Sequence, residues 1–99
     1  MKQNLTKIAR IVSETLAADF RKARIIDVRV REDRDFDGAE ILRVDVLYEG
    51  NPSDLDSAKL SGAVRNVRPR LVNEVGETAF PLFSFISRSD LGAERFEPA

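Results

Sequence analysis

The stretch RIIDVRVREDRDFDGAEILRVDVLYE, residues 24–49, contains two runs of alternating apolar and polar residues. Every even position of these runs is apolar and is expected to face the core: Ile26, Val28 and Val30 in the first, and Leu42, Val44, Val46 and Tyr48 in the second. An apolar side chain at every second position is typical of a β-strand with one buried face. The stretch therefore predicts an antiparallel β-hairpin that turns within the acidic segment DRDFDG, residues 33–38.

The even numbering of both apolar sets limits how the two strands can pair. Opposed residues must have numbers with an even sum, or one strand would turn its apolar side chains to solvent. This requirement excludes a two-residue Asp37-Gly38 turn. Turn chemistry favours a loop from Phe36 to Gly38 with the glycine in the left-handed conformation. Electrostatics favours a register centred one residue later, which opposes Asp33 to Arg43. Both registers remain open, and a β-bulge would reconcile them.

Apolar residues at helical spacing flank the hairpin on both sides. Before it, residues from about 4 to 21 predict an amphipathic helix. After it, Gly50 ends the second strand, and a second apolar stripe runs from Leu60 to Val75. Pro69 interrupts this stripe and predicts a kink, because proline removes one backbone hydrogen bond.

Residues 80–86, FPLFSFI, are apolar at almost every position, which is typical of a strand covered on both faces. The order α-β-β-α-β predicts an α+β fold in which two helices pack on one face of a three-stranded sheet. We expect residues 1–88 to form this single small domain and residues 89–99 to form a C-terminal tail.

The amino-acid composition narrows the chemistry. The 99 residues contain neither cysteine nor histidine, which excludes an ordinary zinc site, a thiol nucleophile and an imidazole base. We therefore expect a non-enzymatic protein with no catalytic residues and no cofactor. No apolar run approaches the roughly 20 residues that cross a bilayer, and the first residues lack a signal-peptide pattern. These features predict a cytoplasmic protein without membrane contacts.

The acidic segment resembles the first half of a calcium-binding loop. Asp33, Asp35 and Asp37 stand where such a loop has its first three ligands, and Gly38 stands where it turns. The position of the closing bidentate glutamate is Val44, so any site would be open and weak. Aspartate and glycine are also common in hairpin turns for local reasons. The sequence favours an acidic turn and keeps a cation at the three aspartates as the weaker alternative.

Helices on one face would leave the other face of the sheet open. An apolar patch on such a face is typical of a surface that contacts another protein. We expect a protein partner or a second copy of the chain to bind there, unless residues 89–99 fold back over the patch. The residues expected on this face are Ile25, Ile41, Leu47, Phe83 and Phe85.

Four basic residues of the second predicted helix give an alternative function. Lys59, Arg65, Arg68 and Arg70 could form a phosphate clamp that binds RNA. On a helical wheel, however, they flank the apolar stripe on its two sides, where arginine stems pack over the core edge. The net charge of −1 also argues against a protein held to nucleic acid mainly by counterion release, and no DNA binding is expected.

Three segments carry a resemblance to a family. LSGAVRNVRPRL (residues 60–71), GETAFP (76–81) and SFISRSD (84–90) together look like small uncharacterised bacterial proteins. The resemblance covers about the last half of the chain and brings no established activity with it. It implies a gene for a second small protein beside this one, as in toxin–antitoxin-type pairs, and therefore a role in binding that partner.

A second resemblance concerns topology. The order α-β-β-α-β, with a long helix interrupted at Ser61-Gly62-Ala63, is similar to ribosome-binding factor A and other KH-like folds. It implies an RNA-binding or ribosome-associated module as the alternative function. The interruption is not a clear family motif and the hairpin is acidic, so no RNA-binding residues are carried over. A shared fold alone does not imply a shared function.

Overall fold

A computed structural model describes residues 4–20, 23–50 and 57–88, with the backbone alone for residues 57–61. Two helices and three strands follow one another in the predicted order α-β-β-α-β. The elements are α1 (Leu5–Asp19), β1 (Arg24–Arg34), β2 (Glu40–Glu49), α2 (Ser57–Val75) and β3 (Phe80–Ser87).

The three strands form one sheet in the order β1-β2-β3. β1 pairs with β2 antiparallel, whereas β3 pairs with β2 in parallel, so α2 provides the crossover that parallel neighbours require. Both helices pack on the same face of this sheet, as predicted, and enclose a single core. Its fully buried aliphatic side chains are Ile8, Ile11, Val12 and Leu16 of α1, Leu42, Val44 and Val46 of β2, and Val67 and Leu71 of α2.

The hairpin adopts the register that turn chemistry favours. Arg31 lies opposite Arg43, and the N–H of Asp35 donates to the carbonyl of Ala39 at 3.0 Å. Three residues therefore form the loop, and Gly38 has a φ of 85° in the left-handed region. The alternative register, centred one residue later, is wrong.

The ion pairs that favoured the rejected register form nevertheless, as diagonal contacts. Arg43 Nε donates to Asp33 Oδ2 at 2.5 Å, and Arg31 Nη2 lies 3.5 Å from Asp45 Oδ2. Long side chains reach such diagonal neighbours across a sheet. Turn chemistry and electrostatics are thus satisfied together without a bulge at the loop.

A bulge does occur at the other end of β1. Ile25 pairs with Tyr48 and Asp27 pairs with Leu47, so that Ile26 has no partner. The shift turns Ile25 to the helix side, where it packs against the core, and leaves Ile26 exposed. The predictions of Ile26 as a core residue and of Ile25 on the open face were therefore wrong.

The third strand also corrects a prediction. Phe83 lies beside Val44 and Phe85 beside Val46, in register, so both phenylalanines face the helices. The ring of Phe85 contacts the ring of Phe20 edge to face, with centroids 5.9 Å apart. The expectation that Phe83 and Phe85 lie on the open face was wrong, because the parallel pairing with β2 fixes which side they take.

The second helix continues through Pro69 to Val75, and the predicted kink stays a prediction. Pro69 is exposed, so water can hydrogen-bond to the backbone carbonyl that loses its partner. Gly76, with a φ of 67°, ends the helix, and its N–H donates to the carbonyl of Val72 at 3.1 Å. Neither helix in the described residues is long and apolar enough to span a membrane. The predicted tail, residues 89–99, lies outside the described residues.

Two glycine substitutions are expected to change stability in opposite directions. Gly38→Ala should lower the free energy of unfolding by about 1–2 kcal/mol, because an L-residue is strained at positive φ. Gly62→Ala is the matched control within a helix, where alanine should raise that free energy by about 0.5–1 kcal/mol. Its Cβ would meet only the Arg65 and Asn66 side chains, at 3.7 and 3.8 Å. Urea unfolding measures both changes, and a Gly38→Ala variant as stable as the wild type would contradict the left-handed conformation of the loop.

Candidate functional site

Two of the three aspartates of the acidic segment are held by hydrogen bonds within the hairpin. Asp33 is held by Arg43, whereas Asp35 Oδ1 accepts the N–H groups of Asp37 and Ala39, both at 2.9 Å. Their carboxylates thus serve an ion pair and the loop backbone instead of one shared ligand. Among the described residues no group of three acidic side chains is arranged to hold a metal ion. The alternative of a cation at these aspartates gains no support from this arrangement and stays a prediction.

The same hydrogen bonds make the loop a rigid support for Phe36. The N–H of Gly38 donates to the Asp35 carbonyl at 2.9 Å, and Arg34 Nη1 donates to the Gly38 carbonyl at 2.9 Å. The Phe36 side chain has no cover from the rest of the chain, since 99% of it is exposed. We call Asp35, Phe36 and Asp37 the acidic tip.

Along β1 and β2, the open face of the sheet is not the apolar patch that was expected. Ile41 and Leu47 do lie on the face opposite the helix-side core, but they are only 5% and 8% exposed. Around them this face carries charged side chains in ion pairs. These pairs are Asp27 with Arg29, Arg31 with Asp45, and Asp33 with Arg43. With Ile25, Phe83 and Phe85 on the helix side, the five predicted interface residues do not form a shared exposed surface.

An exposed apolar surface lies instead along the outer flank of α2. Val64, Arg65, Arg68, Pro69 and Val72 line an open groove there, which we call the flank groove. The valines at positions 64 and 72 are two helical turns apart, with Arg68 between them, so the three side chains form one row. Val72 is 45% exposed, although it is a branched apolar residue.

The flank groove continues onto the beginning of β3. The Arg68 guanidinium carbon lies 5.3 Å from the centroid of the Phe80 ring, within cation–π distance. Phe80 and Leu82 are 41% and 39% exposed, and they follow each other on one side of the strand. In the described sheet β3 pairs only with β2 and is therefore an edge strand. Phe80 therefore extends the flank groove to the beginning of β3, whereas Leu82 lies beside Arg43 on the open face of the sheet.

The four basic residues predicted for RNA binding are separated by the fold. Arg70 bridges the two helices, with Nε 2.6 Å from Glu74 Oε2 and Nη2 3.2 Å from Glu14 Oε1. This contact raises the pKa of Arg70 and, through the same guanidinium, lowers the pKa of Glu74. Arg65 and Arg68 make no ion pair within the described residues, and the side chain of Lys59 lies outside them.

Sequence reasoning missed Val64, Val72 and Phe36 as surface residues. The predicted apolar stripe of α2 takes Val64 as a core position and gives Val72 no role. A signal was present, because Val64 and Val72 lie four residues from Arg68 on either side. Phe36 was read only as part of a turn, although an aromatic residue between two aspartates at a loop tip has no apolar neighbours to cover it.

Comparison with protein-family models, with curated proteins and with solved structures finds no match to this chain. The two resemblances drawn from the sequence therefore stay predictions.

The contact between Arg43 and Asp33 predicts how the pKa of Asp33 changes when Arg43 is replaced. The side-chain hydrogen bond from Arg43, followed by the Arg34 N–H, holds the pKa of Asp33 below 3.8. A lowered carboxyl pKa contributes stability that is fully present above the unfolded value and is lost as the pH falls through the folded value. Arg43→Gln should raise the pKa of Asp33 in a carbon-detected NMR titration. Arg31→Gln, which removes only a weaker Coulombic attraction, should raise it less; equal shifts would contradict this assignment.

Calcium should leave the acidic segment unchanged. Asp33 is occupied by Arg43 and Asp35 by the loop backbone, so the two carboxylates cannot rotate together towards a cation without breaking these bonds. Addition of calcium to millimolar concentration should cause no shift in the backbone amide resonances of residues 33–38. Saturable shifts that end on two or more of these aspartates would show that a cation site forms.

Proposed function

We propose that this chain is a non-enzymatic protein-interaction domain and that its contact surface is the flank groove with the exposed edge of β3. One observation carries the proposal: Val72, which is 45% exposed, lines the groove with Arg65 and Arg68, and the Arg68 guanidinium lies over the ring of Phe80, which is 41% exposed. Contiguous apolar surface with a polar margin is typical of sites that contact other proteins.

The energetics favour a partner at this surface. Exposed apolar area costs roughly 25 cal/mol for each Å² that stays in contact with water. An edge strand also presents backbone N–H and C=O groups that another chain can use. Arginine is enriched in protein interfaces because its planar head can pack on rings and bind carboxylates at once. Arg68, stacked on Phe80 without an ion pair in the described residues, is placed for both contacts.

Residue chemistry supports a binding role over catalysis. The chain has no histidine or cysteine to serve as base or nucleophile. The single tyrosine, Tyr48, is buried in the core. The hydroxyl of Ser87 is also buried and donates to the Gly50 carbonyl at 2.9 Å. Both residues are therefore buried within the fold and not presented to a substrate.

RNA binding is the second candidate, and the geometry supports it less. Among the predicted cations whose side chains are described, Arg65 and Arg68 remain, because Arg70 is held by two glutamates. With two phosphate contacts to a single strand, the logarithm of the affinity would fall with the logarithm of the salt concentration with a slope of only about −0.7 per contact. An apolar groove between two cations also fits a peptide with acidic residues better than a continuous phosphate backbone.

A photo-crosslinking residue at position 72 tests the proposed surface. With p-benzoylphenylalanine in place of Val72, irradiation of cells that produce the protein natively should yield a covalent adduct with a protein. The adduct partner can be a second copy of the chain or the product of a neighbouring gene. Ala17, exposed on α1 away from the flank groove, is the control position and should yield no comparable adduct.

Two results would count against the proposal. Equal labelling from positions 72 and 17 would mean that the flank groove is ordinary surface. Adducts with RNA in place of protein, reduced by Arg65→Gln and Arg68→Gln and by added salt, would favour the RNA-binding candidate instead.

A further inference from the structure

We propose that the partner is a second copy of this chain, whose acidic tip inserts Phe36 into the flank groove. The inference rests on the proposed function and names its partner. Two unexplained features of one molecule fit each other: an aromatic side chain between two aspartates, and an apolar groove with two arginines. Each feature alone leaves apolar area in water, and their contact removes it from both copies.

The acidic tip has the properties of a binding anchor. Phe36 is 99% exposed, so its whole ring is free to enter a pocket. Asp35 fixes the loop by accepting two backbone N–H groups, and Gly38 supplies the left-handed residue. A loop already held in one conformation loses little entropy on binding. The carboxylate of Asp37 makes no ion pair in the described residues and is available for one.

The flank groove has the complementary chemistry. Val64, Pro69 and Val72 supply apolar walls for an aromatic ring, and the flanking cations are Arg65 and Arg68. Neither arginine has an ion pair in the described residues, so carboxylates that arrive with the ring would meet unpaired guanidinium groups. Paired opposite charges around an apolar anchor select the partner and its orientation.

The topology allows the contact to be reciprocal. In the parallel pairing of β2 with β3, Phe80 lies beside Ile41, which is the second residue of β2 after the hairpin loop. The flank groove reaches Phe80 through Arg68, so the groove and the acidic tip lie towards the same end of the sheet. A two-fold axis at this end would let each copy insert its tip into the other, giving a closed dimer with two identical contacts.

Pairing of two β3 edges is a weaker way to form a dimer. An antiparallel β3–β3 contact would place the two α2 helices on one side of a continuous sheet. Arg65 and Arg68 of both copies would then approach one another. Like charges across an interface are unfavourable. Insertion of the acidic tip brings opposite charges together instead.

Sedimentation equilibrium of the full chain over a range of concentrations is the first test. The wild-type protein should be in monomer–dimer equilibrium. Phe36→Ala should weaken the dimer at least about thirtyfold, as removal of a central aromatic anchor does. Ile26→Ala removes an exposed apolar side chain on the opposite edge strand and should leave the dimer unchanged. Circular dichroism checks that both variants are folded.

A charge exchange between tip and groove is the second test. Asp37→Arg and Arg68→Glu should each weaken self-association, because each places like charges at both contacts. An equimolar mixture of these two variants should form a heterodimer, since every tip then meets a groove of opposite charge. Both substituted positions are exposed in the monomer, so the fold should persist.

The outcomes separate this inference from the proposed function. A wild-type protein that stays monomeric, or a mixture of the charge variants that fails to associate, would overturn the second copy as partner. If position 72 still crosslinks to a different protein, the interaction surface stands while the inference fails. If position 72 crosslinks to no protein, both are wrong.

Discussion

The period of two along a β-strand governs the hairpin and, through it, the rest of the molecule. Because the apolar residues of β1 and β2 share even numbers, the strands can bury them together only in a register of even sum. That condition requires an odd loop, and Gly38 supplies the left-handed residue that such a loop needs. The same register turns Val44 and Val46 towards the helices and leaves Phe36 outside, with no core to enter.

Much of this architecture follows from local rules. Helical and alternating periods predict the five elements in their correct order, but the hairpin register stays open between turn chemistry and electrostatics. The structure has the register that turn chemistry favours. The competing electrostatic argument treated Asp33 and Arg43 as direct opposites, whereas their side chains are long enough to pair diagonally. Backbone conformation at one glycine therefore decided the register, and flexible charged side chains adapted to it.

The predictions that failed depend on contacts between distant segments. No local pattern marks Ile26 as a bulge, since the shift is defined by the pairing of Ile25 with Tyr48 and of Asp27 with Leu47 on the neighbouring strand. Residues 80–86 are apolar on both sides, so their orientation is set by parallel pairing with β2 and not by their own sequence. The expected interface on the open face was wrong because of the same pairing. Phe83 and Phe85 complete the core, and the exposed apolar residues lie along α2 and at the start of β3.

An isotope-filtered NOE experiment on a mixture of labelled and unlabelled protein tests most directly whether Phe36 inserts into the flank groove of a second copy. Such a measurement reports only contacts between different copies of the chain. Insertion of Phe36 should give intermolecular NOEs from its ring protons to the methyl groups of Val64 and Val72. A dimer that shows intermolecular NOEs only between β3 residues, or from residues 89–99 to the flank groove, would contradict it.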